Sequence, residues 1–165
     1  MNPRNHPFLP ADFIIPEKLE NEHFRIRMLT VNDVVKDYEA VMTSIDQIKG
    51  VFGPDSDWPS TDLTLEQDLI DLGWHQKEFQ RRSSFAYTVM TPDENQCLGC
   101  VYIYPSEKVT FDAKVYLWVR KSEFEKGLDP ILYESIKDWL KSTWPFGQIA
   151  FPGREIRWDA WDALE

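Results

Sequence analysis

Residues 119 to 133 read V-R-K-S-E-F-E-K-G-L-D-P-I-L-Y. An apolar strand runs into a turn at Gly127, and a helical pattern starts directly after it. Strand, glycine turn and helix N-terminus are the parts of a phosphate cradle, because backbone N–H groups and the positive end of the helix dipole converge there. Asp129 and Pro130 work against that use: a carboxylate adds negative charge, and proline removes an N–H donor. The stretch is a phosphate cradle, the remnant of one, or an ordinary turn. Asp129 as N-cap with Pro130 at the first helical position is a favoured helix start. It predicts that the carboxylate is spent on the helix's own N–H groups.

Three other groups of residues invite a chemical reading. Cys97-Leu98-Gly99-Cys100 is a C-x-x-C, but zinc needs four ligands, and no second Cys pair or nearby His pair is present. A redox pair sits at a helix N-terminus, whereas V-Y-I-Y after Cys100 reads as a strand. Cys97 is expected at the mouth of that strand, with the two thiols on different faces. His75, beside Trp74, has no partner in its spacing and reads as a surface or core histidine. Ser83-Ser84 lacks the surroundings of a triad, and no metal motif of the H-E-x-x-H kind occurs.

The elements that must position these residues follow from pattern. A chain of 165 residues encloses one core, and 42% apolar with 28% charged residues is ordinary for a soluble globular protein. Seven Trp point to large planar side chains in a core, a cleft or an interface. A net charge of −10 repels nucleic acid and anionic lipid, so neither is expected as a partner. No apolar run is long enough to cross a bilayer. M-N-P-R-N-H-P-F lacks the apolar stretch of a secretory signal, so the expected compartment is the cytoplasm.

Residues 1–23, with Pro3, Pro7, Pro10 and Pro16, form an extended arm packed on a single domain at 24–165. F-R-I-R-M-L (24–29) alternates as a half-buried strand. Thr30 and Asp33 form a capping box, and Val34, Tyr38, Val41, Ile45 and Ile48 line one face of the helix that follows. Residues 50–62 are a loop. Thr64 and Gln67 form a second capping box, and Leu65, Leu69, Leu72 and Phe79 make the apolar stripe of a helix to about Arg82. Strands follow at 84–90, 97–104 and 113–120, the last with Val115, Leu117 and Val119 on one face and Tyr116 and Trp118 on the other. A helix from Asp129 buries Leu132, Ile136 and either Trp139 or Leu140. A short strand (148–151) and a last piece with Trp158 and Trp161 complete the chain. This order predicts an α/β (α+β) fold: a mixed, mostly antiparallel sheet flanked by helices on both faces.

That order, the opening I-P-E-K-L-E-N-E-H-F-R-I-R-M-L-T-V-N-D, and W-V-R-K-S-E-F-E-K-G-L-D-P-I-L-Y-E-S-I-K-D-W-L resemble the GNAT superfamily of N-acetyltransferases, in the branch that acetylates protein N-termini. The resemblance runs from residue 24 to about 151. It implies transfer of an acetyl group from acetyl-CoA to a small or peptide amine. In the family a Q/R-x-x-G-x-G/A loop wraps the pyrophosphate of acetyl-CoA. Here Gly127 stands at its first glycine, Phe124 where Gln or Arg is usual, and Asp129 where the second Gly or Ala is usual. The resemblance implies a cofactor site at Trp118, Val119, Arg120, Lys121, Lys126, Gly127, Leu128 and Asp129. Lys121 and Lys126 are the cations placed to offset Asp129. It also implies an acceptor cleft at Asp55, Asp57, Trp58, Asp62, Tyr102 and Tyr104, where carboxylates beside aromatic rings suit a cationic amine.

The departures imply an alternative. Two unit charges about 4 Å apart repel by about 4 kcal/mol at an effective dielectric near 20, a roughly thousandfold loss of affinity. On that account the chain is a non-catalytic GNAT-fold binding or regulatory protein that has lost acetyl-CoA. No catalytic residue is assigned: the family's thiolate acid is a Tyr on a later helix, and no Tyr follows Tyr133. With 14 residues after position 151, the arm, the tail or a second subunit of a homodimer is expected to complete the sheet, unless the fold is truncated.

Overall fold

Among the described residues, short runs of β-branched and aromatic residues, punctuated by turns, come together as six strands in chain order. The computed structural model describes residues 7–165. Its strands are β1 (Lys18–Glu20), β2 (Arg25–Met28), β3 (Phe85–Met90), β4 (Cys97–Pro105), β5 (Ala113–Val119) and β6 (Ile149–Ala150). All neighbours pair antiparallel except β5 and β6, which are parallel. The helices are α1 (Val34–Met42), α2 (Ile45–Ile48), α3 (Leu65–Gln80), α4 (Lys121–Glu125), α5 (Leu128–Thr143) and α6 (Trp158–Asp162). This is the mixed, mostly antiparallel α/β fold that the element order predicts.

Period-two alternation splits the core in two. Val115, Leu117 and Val119 pack with Leu132, Ile136 and Leu140 of α5. Tyr116 and Trp118 face the other way, into a cluster with Ala40 and Val41 of α1 and Leu72 of α3. The N-terminal segment lies on the first of these cores. Phe8 stacks on Phe146 at 5.2 Å between ring centres, Phe13 meets Trp144 at 5.5 Å, and Tyr87 donates its hydroxyl to the Pro16 carbonyl at 2.7 Å. Its residues 18–20 also add β1 to the sheet, which their composition does not announce. Pro3 lies outside the described residues.

Three expectations are corrected. The helix read from Val34 to Ile48 is two, because Ser44 between them is buried and accepts the Lys121 N–H on its hydroxyl at 2.9 Å. In α3 the stripe is rotated: Leu65 and Leu69 are exposed, while Asp68 and Leu72 are buried. The cysteines share a face. A bulge between β3 and β4 sets Val89 opposite Gly99 but Met90 opposite Cys97. The extra residue reverses the alternation, so Leu98 joins the α5 core while Cys97 and Cys100 both join the α1 side. Both are free and buried. Burial pushes both thiols up, Cys97 to about 12, so neither is a thiolate at neutral pH.

Candidate functional site

β5 and β6 pair only at Ala113 with Ile149 and Lys114 with Ala150. Proline cannot extend the ladder, and the chain leaves it at Pro152 and turns at Gly153 (φ 84°). No strand therefore borders Val115–Val119 on that side among the described residues. A strand edge with unspent N–H and C=O groups is a template for an extended ligand. The space beside it is a cleft of ≈ 290 Å³ whose wall includes Lys49, Leu117, Trp118, Phe124, Asp129 and Arg154.

The head of α5 stands at one end of this cleft, and it is built differently from the cap-and-proline pattern. The helix begins at Leu128 with Gly127 as N-cap in the left-handed region (φ 89°, ψ 18°), and no side chain caps it. Asp129 is thus the second helical residue and Pro130 the third. The Asp129 carboxylate turns away from its own helix and accepts both Arg154 nitrogens, from Nη1 at 2.8 Å and Nη2 at 2.7 Å. A forked, charge-assisted pair outcompetes single bonds to neutral N–H groups, which is why the expected cap is not made. Arg154 Nη2 also donates to the Leu117 carbonyl at 3.3 Å, so the guanidinium leans across the free edge of β5.

The residues that the loop motif brings to mind separate here. Trp118, Val119 and Asp129 line the cleft, and Gly127 and Leu128 form the helix head. Arg120 lies on the α1 side, buried, forked onto Glu39 at 2.7 Å twice and donating to the Cys97 carbonyl at 3.0 Å. Lys121 is exposed, and Lys126 is exposed and paired with Glu123 at 3.2 Å. Lys49 and Arg154 are the basic residues of the cleft wall.

A second cavity, of ≈ 270 Å³, opens between α1, α3 and β4. Trp58, Tyr102 and Tyr104 line it together with Asp37, Asp68, Asp71 and His75. Asp57 and Asp62 border a neighbouring hollow with Trp58 and Asp71, and Asp55 is exposed on the same loop. Cleft and cavity share a partition of rings: Phe52 lies 5.0 Å from Tyr102 and 5.3 Å from Tyr116, and Trp118 Nε1 donates to the Tyr102 hydroxyl at 2.9 Å.

No family model and no curated protein matches the chain. Solved structures do. The ribosomal-protein-S5-alanine acetyltransferase from Vibrio fischeri superposes with a TM-score of 0.58 at 18% identity, over 74% of this chain and 66% of that one. RimL, a ribosomal L7/L12 α-N-protein acetyltransferase in complex with coenzyme A, gives 0.50 at 17% over 66% and 56%. The microcin C7 self-immunity acetyltransferase MccE, in complex with acetyl-CoA and AMP, gives 0.55 at 13% over 78% and 69%. The chain has the GNAT fold. It spans less than two thirds of the length of the first two of these GNAT structures, at 66% and 56%. Among the described residues no helix is long and apolar enough to cross a membrane.

In this GNAT fold the least expected side chains are Asp37 and Asp68, 3% and 2% exposed. Their carboxyl groups are hydrogen-bonded to each other, and no other donor reaches the buried Asp68 Oδ2. Burial first, then repulsion from Asp68, Asp33 and Asp71, raises Asp37 well above the usual carboxyl range, and burial raises Asp68. The pair therefore holds a proton in the fold beyond the usual carboxyl pKa. Burial also lowers His75 to about 4, so its imidazole is neutral at pH 7. Sequence reasoning passed over the aspartates, yet a signal exists. Asp37 lies three residues after Val34 and four before Val41, and Asp68 stands likewise between Leu65 and Leu72, so each is a carboxylate on a helical stripe.

A carboxyl raised by folding binds more protons in the folded chain than in the unfolded one. Its stabilising contribution is complete below the unfolded pKa, near 4, and is lost as pH rises through the folded pKa. Asp37→Asn removes one buried acid and keeps a hydrogen bond to Asp68. Thermal melts from pH 4.5 to 8 are expected to show a higher Tm for the variant at pH 7, at about 2–4 °C per kcal/mol. They should also show a flatter decline of stability with pH. A lower Tm at pH 7 with an unchanged slope contradicts the assignment.

Proposed function

We propose that this chain transfers an acetyl group from acetyl-CoA to a small or peptide amine. The observation that carries the reading is the cleft, in which the free edge of β5 from Val115 to Val119 leads to the uncapped head of α5. The amide-bearing arm of the donor can add to that edge as a strand would. Its diphosphate suits the glycine turn and the dipole of α5. Lys49 supplies positive charge on the wall of a chain whose net charge is −10, and Arg154 neutralises Asp129. Neighbouring structures with coenzyme A and with acetyl-CoA support the same donor. The case for a non-catalytic protein rested on Asp129 filling the helix head. With that carboxylate held by Arg154, this part of the case no longer favours it, although Pro130 still offers no N–H donor.

In the transfer the neutral amine nitrogen bonds to the thioester carbonyl carbon, the carbon–sulfur bond breaks with its electron pair on sulfur, and the proton that nitrogen loses is balanced by the one the coenzyme A thiolate gains. Backbone N–H groups of the β5 edge are the donors at hand for the carbonyl oxygen as it gains charge. Trp118 and Val119 hold the edge, and Gly127, Leu128 and Asp129 the diphosphate end. Arg120 keeps the outgoing strand in place through Glu39. Incubation with acetyl-CoA and a panel of alkylamines and peptides with free N-termini tests this. The expected result is N-acetylated amine by mass spectrometry with an equal release of coenzyme A thiol. Thiol release no faster than in buffer for every amine, together with no binding of acetyl-CoA, overturns the reading.

A further inference from the structure

We propose that Trp158 sets the size of the acyl group that the donor cleft accepts, closing the cleft behind a short acyl chain. The inference deepens the reading above and rests on it. A donor whose diphosphate meets the head of α5 runs along the edge of β5 from Val119 towards Val115, so its acyl end lies away from the helix head. There Trp158 joins Val115 and Tyr116 in the wall of the cleft. Its indole lies over the Tyr116 ring, with 6.2 Å between ring centres and 15° between planes. Tyr116 in turn meets Phe52 at 5.3 Å, and the three rings make an apolar end wall.

A wall selects by size only if it stays in place, and this one is held from several directions. A Cβ at Gly153 would stand 2.7 Å from Trp158 Nε1, and one at Gly53 would stand 3.6 Å from Cζ3, at the opposite edge of the indole. Two loops thus grip the ring edge to edge while one of its faces rests on Tyr116. The tail that carries it is pinned as well. Trp161, one turn later, is 3% exposed and packs on Phe111 at 5.8 Å. Lys108 Nζ donates to the Leu164 carbonyl at 2.7 Å, and the Val109 N–H to the Glu165 carbonyl at 2.9 Å. An acyl chain that is too long therefore meets overlap and cannot displace the ring by a rotamer change. One methylene too many in an apolar pocket changes selectivity roughly 10–200-fold.

Calorimetric titration of the full chain with coenzyme A, acetyl-CoA and hexanoyl-CoA, without any amine, tests the wall. In the parent, acetyl-CoA is expected to bind within about threefold of coenzyme A, and hexanoyl-CoA at least about tenfold more weakly. Trp158→Ala should bring hexanoyl-CoA to within about threefold of acetyl-CoA and change the affinity for coenzyme A itself by less than about threefold. Trp158→Leu keeps an apolar anchor for the tail and should fall between parent and alanine variant. Circular dichroism melts check the fold of each. A purely structural role for Trp158 weakens all three ligands together and leaves their ratio unchanged. Equal binding of acetyl-CoA and hexanoyl-CoA by the parent, or a parent-like ratio in the leucine and alanine variants, overturns the role of Trp158 and leaves the donor cleft standing. No binding of any of the three by the parent overturns the donor cleft, and the acyl wall with it.

Discussion

If the cleft binds acetyl-CoA as proposed, replacing Arg154 with alanine is expected to lower the affinity by up to about a thousandfold, and replacing Asp129 with asparagine to raise it about tenfold. Both follow from one ion pair. In the native chain the Asp129 carboxylate is matched by a forked guanidinium at 2.7–2.8 Å, so the end of the cleft proposed to receive a diphosphate carries no net charge from the pair. Arg154→Ala strips the carboxylate of its partner, and a bare charge about 4 Å from a phosphate oxygen costs about 4 kcal/mol at an effective dielectric near 20. With side chains 28% and 15% exposed, solvent screens part of this, and a thousandfold is the upper end. Asp129→Asn removes the negative charge and releases Arg154 toward the ligand. About 1.4 kcal/mol would suffice for the tenfold gain. A partly exposed pair contributes only about 0–1 kcal/mol to folding, so the Tm of both variants stays close to that of the parent. Calorimetric titration with acetyl-CoA measures the effect, and parent-like affinity in both variants would contradict it.

Gly99→Ala is expected to cost the fold about 3 kcal/mol or more, lowering Tm by roughly 6–12 °C. Gly99 sits at the bulge, opposite both Val89 and Val119. A Cβ placed there would stand 2.1 Å from the Trp118 carbonyl oxygen and 3.2 Å from Val119 Cα. Both are backbone atoms, so no rotamer change relieves the clash, and β4 and β5 must move apart. That movement strains the edge of β5 along which the donor is proposed to lie. Circular dichroism melts measure the loss, and a Tm within about 2 °C of the parent would contradict the close approach. Gly127→Ala meets nothing within 4 Å and is strained only by its φ of 89°, so its smaller loss of stability provides the contrast.

Much of this architecture is legible in the residues themselves, because its signals are local. The alternation of Val115, Leu117 and Val119 with Tyr116 and Trp118 sorts β5 onto two cores as it reads. The boxes at Thr30 with Asp33 and Thr64 with Gln67 start helices where they stand. What escapes is set by partners far along the chain. Asp129 reads as a helix cap until Arg154, 25 residues later, claims its carboxylate. The bulge that turns Cys97 and Cys100 to one face depends on how β4 meets β3, and nothing in C-L-G-C announces it. α3 is rotated away from its leucine stripe, which brings Asp68 to Asp37 of another helix. The glycine turn of the cleft and three rings of the cavity are legible. The carboxylates and the arginine that give both sites their electrostatics are not.

The account is tested most directly by the backbone amide spectrum of the isotopically labelled protein as acetyl-CoA is added. Saturable shifts concentrated at Val115, Leu117, Val119, Gly127 and Leu128 are the predicted result, with weaker changes at Lys49 and Arg154. A spectrum unchanged at millimolar acetyl-CoA, or changes clustered away from β5 and the head of α5, would contradict it.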